Sequence, residues 1–220
     1  MKVLVVSAHP DDEILGVGGT VAGHVRRGDE VKLALLCEGV TARQQADRLF
    51  EVKQQSARAA AILGVADLVH CDLPDQRLDT LPLGDVARPI EALVRDYEPA
   101  VVYTHFGGDI NRDHRTLAEA VLVATRPYSA PSVRELMMFE TPSSTEWGSP
   151  EVCAIFHPTH FVDVARALEK KIEAFLCYEA EVRDYPHPRS AQALRERARY
   201  WGSLVNLAAA EPFVIVRSIR

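Results

Sequence analysis

A strand-like segment at the start of the chain, and the polar turn that follows it, constrain the fold more than any other feature. Residues 2–8 form a β-branched apolar run, which is typical of a strand buried in a parallel sheet. The turn His-Pro-Asp-Asp-Glu occupies residues 9–13, and a helical pattern covers residues 14–27. Strand, turn and helix in this order form the building unit of α/β folds.

The same unit recurs along the chain. Further strands are predicted at residues 31–37, 66–71, 100–104 and 133–139, with an edge strand at 213–218. Helices are predicted at residues 43–63, 86–96, 116–125, 167–183 and 191–207. This alternation predicts a Rossmann-like three-layer α/β/α sandwich with a mostly parallel sheet. No linker or internal repeat divides the sequence, so residues 1–220 are predicted to form one domain.

Charge and cysteine content argue against several classes of protein. The 25 Lys and Arg against 31 Asp and Glu give a net charge of -6, which disfavours nucleic-acid binding. The 4 cysteines are scattered without a Cys-x-x-Cys pair, unlike a zinc ribbon or a disulfide framework. The first apolar run is too short for a signal peptide, and no stretch of about 18 apolar residues predicts a membrane span. We therefore expect a cytoplasmic protein.

Polar residues after the predicted strands suggest a metal site. His9 and Asp12 stand three residues apart in a turn that Pro10 stiffens, so both side chains can face one point. His114 follows the fourth strand, which neighbours the first in the common doubly wound order. Two histidines and one carboxylate suit a catalytic zinc with an open coordination position, although Fe(II) shares this ligand set.

Two simpler interpretations of the same residues remain open at this point. The His-Pro-Asp-Asp-Glu turn can be only the start of a helix, with its acidic residues favouring the helix dipole. A nucleotide-binding Rossmann domain would use Gly16, Gly18 and Gly19 after the first strand, with Glu38 ending the second. The segment GVGGTVAG, however, lacks the Gly-x-Gly-x-x-Gly spacing, and carboxylates at the phosphate position would repel a pyrophosphate.

Two longer motifs carry a resemblance to a known family. The segments SAHPDDEILGVGGT and THFGGDINRDHR resemble the LmbE/PIG-L zinc-dependent N-deacetylases. LPDQRLD, PSSTEW, FVDV, YPHPRS and AEPF also resemble a bacterial branch of that family, so the similarity extends over nearly the whole chain.

The resemblance implies roles for individual residues. It assigns His9, Asp12 and His114 as zinc ligands and Asp11 as the general base that takes a proton from water. A dication held by one carboxylate stays net positive, so it can acidify bound water and polarise an amide carbonyl. Asp113 is expected either to orient a neighbouring imidazole or to cap the following helix.

One position departs from the family pattern. Many members carry a histidine three residues before the zinc-binding histidine, where this chain has Asn111. An asparagine can donate a hydrogen bond to an oxyanion but cannot transfer a proton. We therefore expect another histidine to act as the acid, His187 first and His105 second, with His187 serving its own or a neighbouring subunit.

Family substrates are N-acetylated amino sugars, free or linked to a carrier or nucleotide. Hydrogen-bonding residues placed to bind such a sugar are Arg43, Asp75, Arg77, Asp109, Asn111 and Glu140. A homo-oligomer, trimer or hexamer, is expected by resemblance. Two alternatives remain: a zinc hydrolase acting on a non-sugar amide such as a thiol conjugate, and a non-catalytic sugar-binding module.

Overall fold

The structure, a computed structural model, describes residues 1–40 and 48–220. Within these ranges the strands are β1 (Lys2–Ser7), β2 (Glu30–Cys37), β3 (Asp67–Leu73), β4 (Val101–His105), β5 (Glu135–Phe139), β6 (His160–Asp163) and β7 (Ala210–Ser218). The helices are α1 (Asp12–Arg26), α2 (Leu49–Leu63), α3 (Leu83–Tyr97), α4 (Arg112–Ala124), α5 (Leu168–Phe175) and α6 (Ala191–Ser203). The α/β class predicted from the sequence is confirmed.

The strands form a mostly parallel sheet with the order β3-β2-β1-β4-β5-β7-β6. The first five strands pair in parallel, whereas β7 runs antiparallel between β5 and β6. The neighbouring placement of β1 and β4 agrees with the sequence prediction. Their carboxyl ends, where ligands gather in open α/β sheets, therefore lie side by side.

Both faces of the sheet are covered, as the alternation along β1 illustrates. Val3 and Val5 join a cluster that also contains residues of α1, α2, α5 and α6. Leu4 and Val6 join a second cluster with residues of α3 and α4. Successive side chains of a strand point to opposite faces, so an apolar β1 packs against both helical layers.

Helix α1 packs closely against the sheet because it carries glycines. A Cβ built on Gly16 would overlap the ring of Phe139, and one on Gly19 would lie 2.8 Å from Cβ of Val164. Both positions are far inside van der Waals contact, so side chains there would push the helix away. The glycines thus fix the position of the helix whose first turn carries Asp12.

A buried ion pair also anchors α1. The carboxylate of Glu211 accepts hydrogen bonds from the backbone amides of Gly19 and Thr20 at 2.9 and 2.7 Å. The ammonium of Lys171 donates to Glu211 at 2.6 Å and to the carbonyl of Leu15 at 2.8 Å. Every charged group of this pair has partners, which buried charges require.

Several predicted elements differ from the structure, among them the helix predicted at residues 191–207, which ends at Ser203. The predicted edge strand is wrong, because β7 lies inside the sheet and the four-residue β6, too short to predict, forms the edge. Helix α4 begins at Arg112 rather than near residue 116, since Asn111 caps it. The helix predicted to reach residue 183 ends at Phe175, and a loop follows.

Among the described residues, no helix is both long enough and apolar enough to cross a membrane.

The close packing of α1 predicts an unusual response to a Gly16→Ala substitution. Alanine favours a helix, yet the clash with Phe139 should lower the free energy of unfolding by roughly 1–3 kcal/mol. Gly84→Ala is the matched control, because Gly84 lies in α3 with nothing within 4 Å of its added Cβ. Urea unfolding should show this control slightly stabilised, by about 0.5–1 kcal/mol. Equal stability of the two variants would contradict the packing argument.

Candidate metal centre and active-site cleft

Two loops and two helix ends bring the predicted metal ligands together. His9 follows β1 closely, and Asp12 is the first residue of α1. His114 lies in the first turn of α4, which follows β4. The ring of Pro10 packs on Gly39, where a Cβ would lie 2.6 Å from the proline Cδ, so the turn after β1 is held against the end of β2.

Three ligand atoms converge in this arrangement. Nδ1 of His9 lies 3.1 Å from Oδ2 of Asp12, and Nε2 of His114 lies 3.2 Å from the same oxygen. The two imidazole nitrogens are themselves 3.3 Å apart. All three side chains are buried.

These spacings match those around a single ion. Zinc binds imidazole nitrogen and carboxylate oxygen at about 2.0–2.1 Å, so the edges of a regular tetrahedron of ligands measure about 3.3 Å. The His9, Asp12 and His114 atoms form such a triangle and constitute a group that could hold a metal ion. Three protein ligands leave a fourth position open, as in catalytic zinc sites.

Each imidazole has a carboxylate at its far side. Nε2 of His9 lies 3.1 Å from Oδ2 of Asp113, whose other oxygen accepts a hydrogen bond from the amide of Leu78 at 3.0 Å. Nδ1 of His114 lies 3.3 Å from Oδ1 of Asp109. A carboxylate at the outer nitrogen keeps the inner nitrogen free as a lone-pair donor and fixes the orientation of the ring.

The charge balance of the site also fits a dication. The buried aspartates of the described residues are Asp11, Asp12, Asp75, Asp109 and Asp113, and all lie here. Oδ1 of Asp12 and Oδ2 of Asp75 are buried without a hydrogen-bond partner, and Oδ1 of Asp75 has only Nε2 of His9, at 3.2 Å. Buried, unpartnered carboxylates are costly, so positive charge or donors from a ligand would stabilise this arrangement.

Histidine and aspartate adjust each other's protonation at the centre. Burial alone would raise the pKa of Asp12, but the charge of His114 and hydrogen bonds with His105 and His114 outweigh it and hold this pKa well below its usual range. Burial opposes a charge on His114, yet Asp12 and Asp109 raise its pKa. The site therefore keeps Asp12 ionised, the form in which a carboxylate binds a metal.

His105, the second candidate acid, is stacked on the predicted ligand His114 and is not among the described residues that line the cleft. Its Nε2 accepts a hydrogen bond from the amide of Ala8 at 2.9 Å, and its ring stacks on His114 with centroids 3.9 Å apart. Burial, with the charge of His114, lowers the pKa of His105 to about 4. A neutral, fully buried imidazole in this position supports the ring of His114 and is poorly suited to protonate a substrate.

Asp11 lies beside the three ligand atoms in a strained backbone conformation. Its φ of 115° is in a region that residues other than glycine rarely adopt, and strain of this kind concentrates at functional sites. Oε2 of Glu13 accepts the Asp11 amide hydrogen at 3.1 Å, and Tyr178 donates to Oε1 of Glu13 at 2.5 Å. These contacts hold the turn that presents the Asp11 carboxylate.

An arginine absent from the predicted site residues contacts Asp11. Nη1 of Arg189 donates to Oδ2 of Asp11 and to Oε2 of Glu181, both at 2.8 Å, while its Nε donates to Oγ of Ser143 at 2.7 Å. Burial raises the pKa of Asp11, the charge of Arg189 opposes this, and the net direction is upward. Arg189 stands in the YPHPRS motif, but only the fold reveals its partner.

An open cleft lies over the three ligand atoms. Several predicted site residues line it, and so do residues of the loops at 143–147 and 181–189. The lining residues are His9, Pro10, Asp11, Gly39, Asp75, Asn111, His114, Ser143, Ser144, Trp147, Glu181, Arg183, His187 and Arg189. His187 therefore reaches the cleft of its own chain, where its ring meets Trp147 edge-on at 5.8 Å.

Hydrogen bonds define how Asn111 and His187 present their donors. Oδ1 of Asn111 accepts from the amide of Asp113 at 2.8 Å, so Asn111 is the cap of α4 and its Nδ2 is left to donate. The expectation that Asp113 caps this helix is thus wrong. Nδ1 of His187 accepts from the amide of Arg189 at 3.1 Å, so a neutral ring carries its proton on Nε2.

The structure does not bring every predicted sugar-binding residue into the cleft lining. Asp109 is fully buried and accepts hydrogen bonds from Thr145 Oγ1 at 2.6 Å and from Ser144 Oγ. Glu140 points away from the cleft and binds Arg197 and Trp201, each at 2.7 Å. Arg77 is exposed next to the cleft residue Asp75. Arg43 lies outside the described residues.

The glycines that suggested a nucleotide site serve packing instead. Gly16, Gly18 and Gly19 are buried within α1. Gly16 meets Phe139 and Gly19 meets Val164, so neither faces a phosphate position at the end of β1. That position holds the turn with His9 and Asp12, and its carboxylates disfavour a pyrophosphate.

Comparison with known proteins agrees with this geometry. Residues 4–125, from β1 to the end of α4, match the model of the PIG-L family, described as GlcNAc-PI de-N-acetylase. YaiS of Escherichia coli, an uncharacterized deacetylase, is 27% identical over 173 residues, which cover 76% of this chain and 89% of YaiS. The diacetylchitobiose deacetylase of Thermococcus kodakarensis is 27% identical over 235 residues, covering 99% of this chain and 84% of that enzyme.

A solved structure has the same fold over nearly the full length of this chain. The conserved protein TT1542 from Thermus thermophilus superposes with a TM-score of 0.81 at 26% sequence identity. The match covers 99% of this chain and 96% of TT1542.

The geometry predicts that removing one ligand disrupts divalent metal binding. Removing a residue that only orients a metal ligand typically lowers metal affinity by about 10–100-fold. His114→Ala removes a predicted ligand itself, so its affinity for zinc should fall by more than that. Calorimetric titration of the metal-free protein with zinc measures this, and His157→Ala is the matched control because His157 is exposed and distant in sequence from the ligands. Unchanged affinity in His114→Ala, or a loss in His157→Ala, would contradict the assignment.

Proposed function

This chain belongs to the PIG-L family, and we propose that it is a zinc-dependent deacetylase of N-acetylated, GlcNAc-type amino sugars. The observation that carries the proposal is the convergence of His9, Asp12 and His114 within 3.3 Å of one another beside Asp11. The family match and the deacetylases among the relatives support the same reaction. The sugar is free or linked to a carrier or nucleotide.

His9, Asp12 and His114 would hold the zinc. A dication held there would supply Lewis-acid chemistry that polarises the amide carbonyl and acidifies the attacking water. The chain contributes the orientation of the ligands, through Asp113 at His9 and Asp109 at His114, and an aspartate that moves the proton.

Asp11 acts as the general base. Its Oδ2 is engaged by Arg189 at 2.8 Å, which leaves Oδ1 to take a proton from the attacking water and deliver it to the leaving nitrogen. Arg189 thereby positions the carboxylate. Because the pKa of Asp11 is raised by burial, the carboxylate is more basic than an exposed aspartate.

Two neutral donors can stabilise the oxyanion that forms on the amide oxygen. Nδ2 of Asn111 is free to donate because Oδ1 caps α4. Nε2 of His187 carries the proton of the neutral ring, and burial together with the charges of Arg189 and Arg183 lowers its pKa. His187 therefore serves better as a hydrogen-bond donor than as a charged acid at neutral pH.

Asp75 is the strongest candidate for binding a sugar hydroxyl. Its Oδ1 lies 3.2 Å from Nε2 of His9, its Oδ2 is buried without a hydrogen-bond partner, and the residue lines the cleft. Arg43, Arg77, Asp109 and Glu140 remain predicted sugar-binding residues, although the contacts of Asp109 and Glu140 favour structural roles. The cytoplasmic location, the trimer or hexamer and the single domain also remain predictions.

Acetate release is the experiment that tests the proposed reaction. The zinc-loaded protein should release acetate from at least one member of a panel of free, phosphorylated and nucleotide-linked acetamido sugars. Activity confined to acetylated thiol conjugates would favour the non-sugar amidase, and sugar binding without acetate release would favour the binding module.

Substituting the base should abolish turnover without loss of the metal. Asp11→Asn removes the proton acceptor but keeps the size of the side chain, so kcat should fall by roughly 10²–10⁴-fold. Zinc content, measured by elemental analysis, should stay at that of the unsubstituted chain. An Asn variant with full activity would remove Asp11 from the mechanism.

His187→Ala should reduce kcat for acetate release because one oxyanion donor is lost. The expected reduction is roughly 10²-fold, with KM and zinc content little changed. Mixing Asp11→Asn and His187→Ala subunits should restore no activity, since His187 lines the cleft of its own chain. Restored activity in the mixture would instead assign His187 to a neighbouring subunit's site.

A further inference from the structure

We propose that Trp147 is the platform on which the pyranose ring of the substrate stacks, which makes it a specificity-determining residue. This inference rests on the proposed function. If the acetamide group of the substrate binds beside His9, Asp12 and His114, the sugar ring attached to its nitrogen lies in another part of the same cleft. It adds the residue through which the cleft would distinguish a cyclic amino sugar from an acyclic acetamide.

Trp147 presents a large apolar surface to a mainly polar cleft. Its side chain lines the cleft together with His9 and His114, yet the residue is 54% exposed. The ring of His187 approaches it edge-on, with an interplanar angle of 88°. This contact leaves most of the indole surface uncovered, and an exposed aromatic side chain in a ligand cleft marks a contact surface for the ligand.

Hydrogen bonds hold the loop that carries Trp147 in one conformation. The carboxylate of Glu146 accepts from the amides of Ser143 and Ser144 at 2.9 and 3.3 Å and from Nη1 of Arg197 at 3.2 Å. Oγ1 of Thr145 donates to Oδ2 of Asp109 at 2.6 Å, and Asp109 also lies against His114. The loop is thus connected to the metal ligands, so the indole is pre-organised relative to them.

The rest of the cleft selects a ligand rich in hydroxyl groups. Carboxylates of Asp75 and Glu181, the amide of Asn111 and the hydroxyl of Ser143 line it. A pyranose carries hydroxyls around its edge and mainly C–H groups on a face, so it can bond these polar groups while its apolar face covers an indole. An acyclic acetamide has no such face and gains nothing from Trp147.

The two substrate classes can be compared directly with substitutions at Trp147. For Trp147→Ala, kcat/KM for N-acetylglucosamine should fall by roughly tenfold or more through KM. The value for N-acetylethanolamine, an acyclic acetamide, should stay within about twofold. Trp147→Phe, which keeps an aromatic face, should restore most of the activity on the sugar.

Tyr128→Ala is the matched control, since Tyr128 is 98% exposed, lies in the connection between α4 and β5, and is not one of the described residues lining the cleft. This variant should change neither value. If Trp147→Ala lowers kcat/KM equally for both substrates, or for neither, the proposed stacking on Trp147 is wrong.

A fluorescence measurement separates this inference from the proposed reaction. The chain has 2 tryptophans, so Trp201→Phe leaves Trp147 as the sole indole. Titration with N-acetylglucosamine should quench its emission and shift it to shorter wavelength. A change in Trp147 fluorescence without acetate release would support the stacking on Trp147 and contradict the proposed deacetylase reaction. Acetate release from the sugar with no fluorescence change at saturating sugar would contradict the stacking on Trp147 and leave the proposed deacetylase reaction unaffected.

Discussion

The approach of two imidazole nitrogens and one carboxylate oxygen to within 3.3 Å of one another is the interaction on which the rest of the site depends. Lone pairs and negative charge packed this closely in a buried space repel each other unless a proton or a cation lies between them. The carboxylates of Asp113 and Asp109 contact the outer ring nitrogens of His9 and His114, Nε2 and Nδ1 respectively. The inner nitrogens are therefore available to one shared dication.

The fold produces this convergence through packing rather than through the loops alone. Glycines bring α1 close to the sheet, and the Lys171–Glu211 pair anchors its backbone, so Asp12 has a fixed position at the helix start. The parallel pairing of β1 and β4 places the two histidine-bearing segments side by side. Residues separated by 105 positions in sequence thereby reach hydrogen-bond distance.

The fold class and the convergence of His9, Asp12 and His114 are predictable from the sequence because both depend on local patterns. An apolar run followed by a polar turn identifies a strand end, and strand ends meet at one edge of a parallel sheet. The start of α4 is not predictable in this way, because the cap formed by Asn111 is a side-chain contact that residue spacing does not specify. Strand β6, with four residues, gives no periodic signal, so the sequence pattern wrongly places β7 at the edge.

Long-range polar contacts are the least predictable part of the site. Arg189 reaches Asp11 from 178 residues away, and nothing near either residue in sequence indicates the pair. Glu140 follows β5 and is expected from the sequence to face the sugar, but α6 supplies Arg197 and Trp201 as its partners. Such pairings depend on where α6 and the loop before it pack against the sheet. The order of strands and helices along the chain does not specify that position.

Anomalous X-ray scattering at the zinc edge, recorded from crystals of the zinc-loaded protein, tests the central claim most directly. The account predicts one strong peak per chain within bonding distance of Nδ1 of His9, Oδ2 of Asp12 and Nε2 of His114. A peak bound elsewhere, or three ligand atoms with no peak between them at saturating zinc, would contradict it.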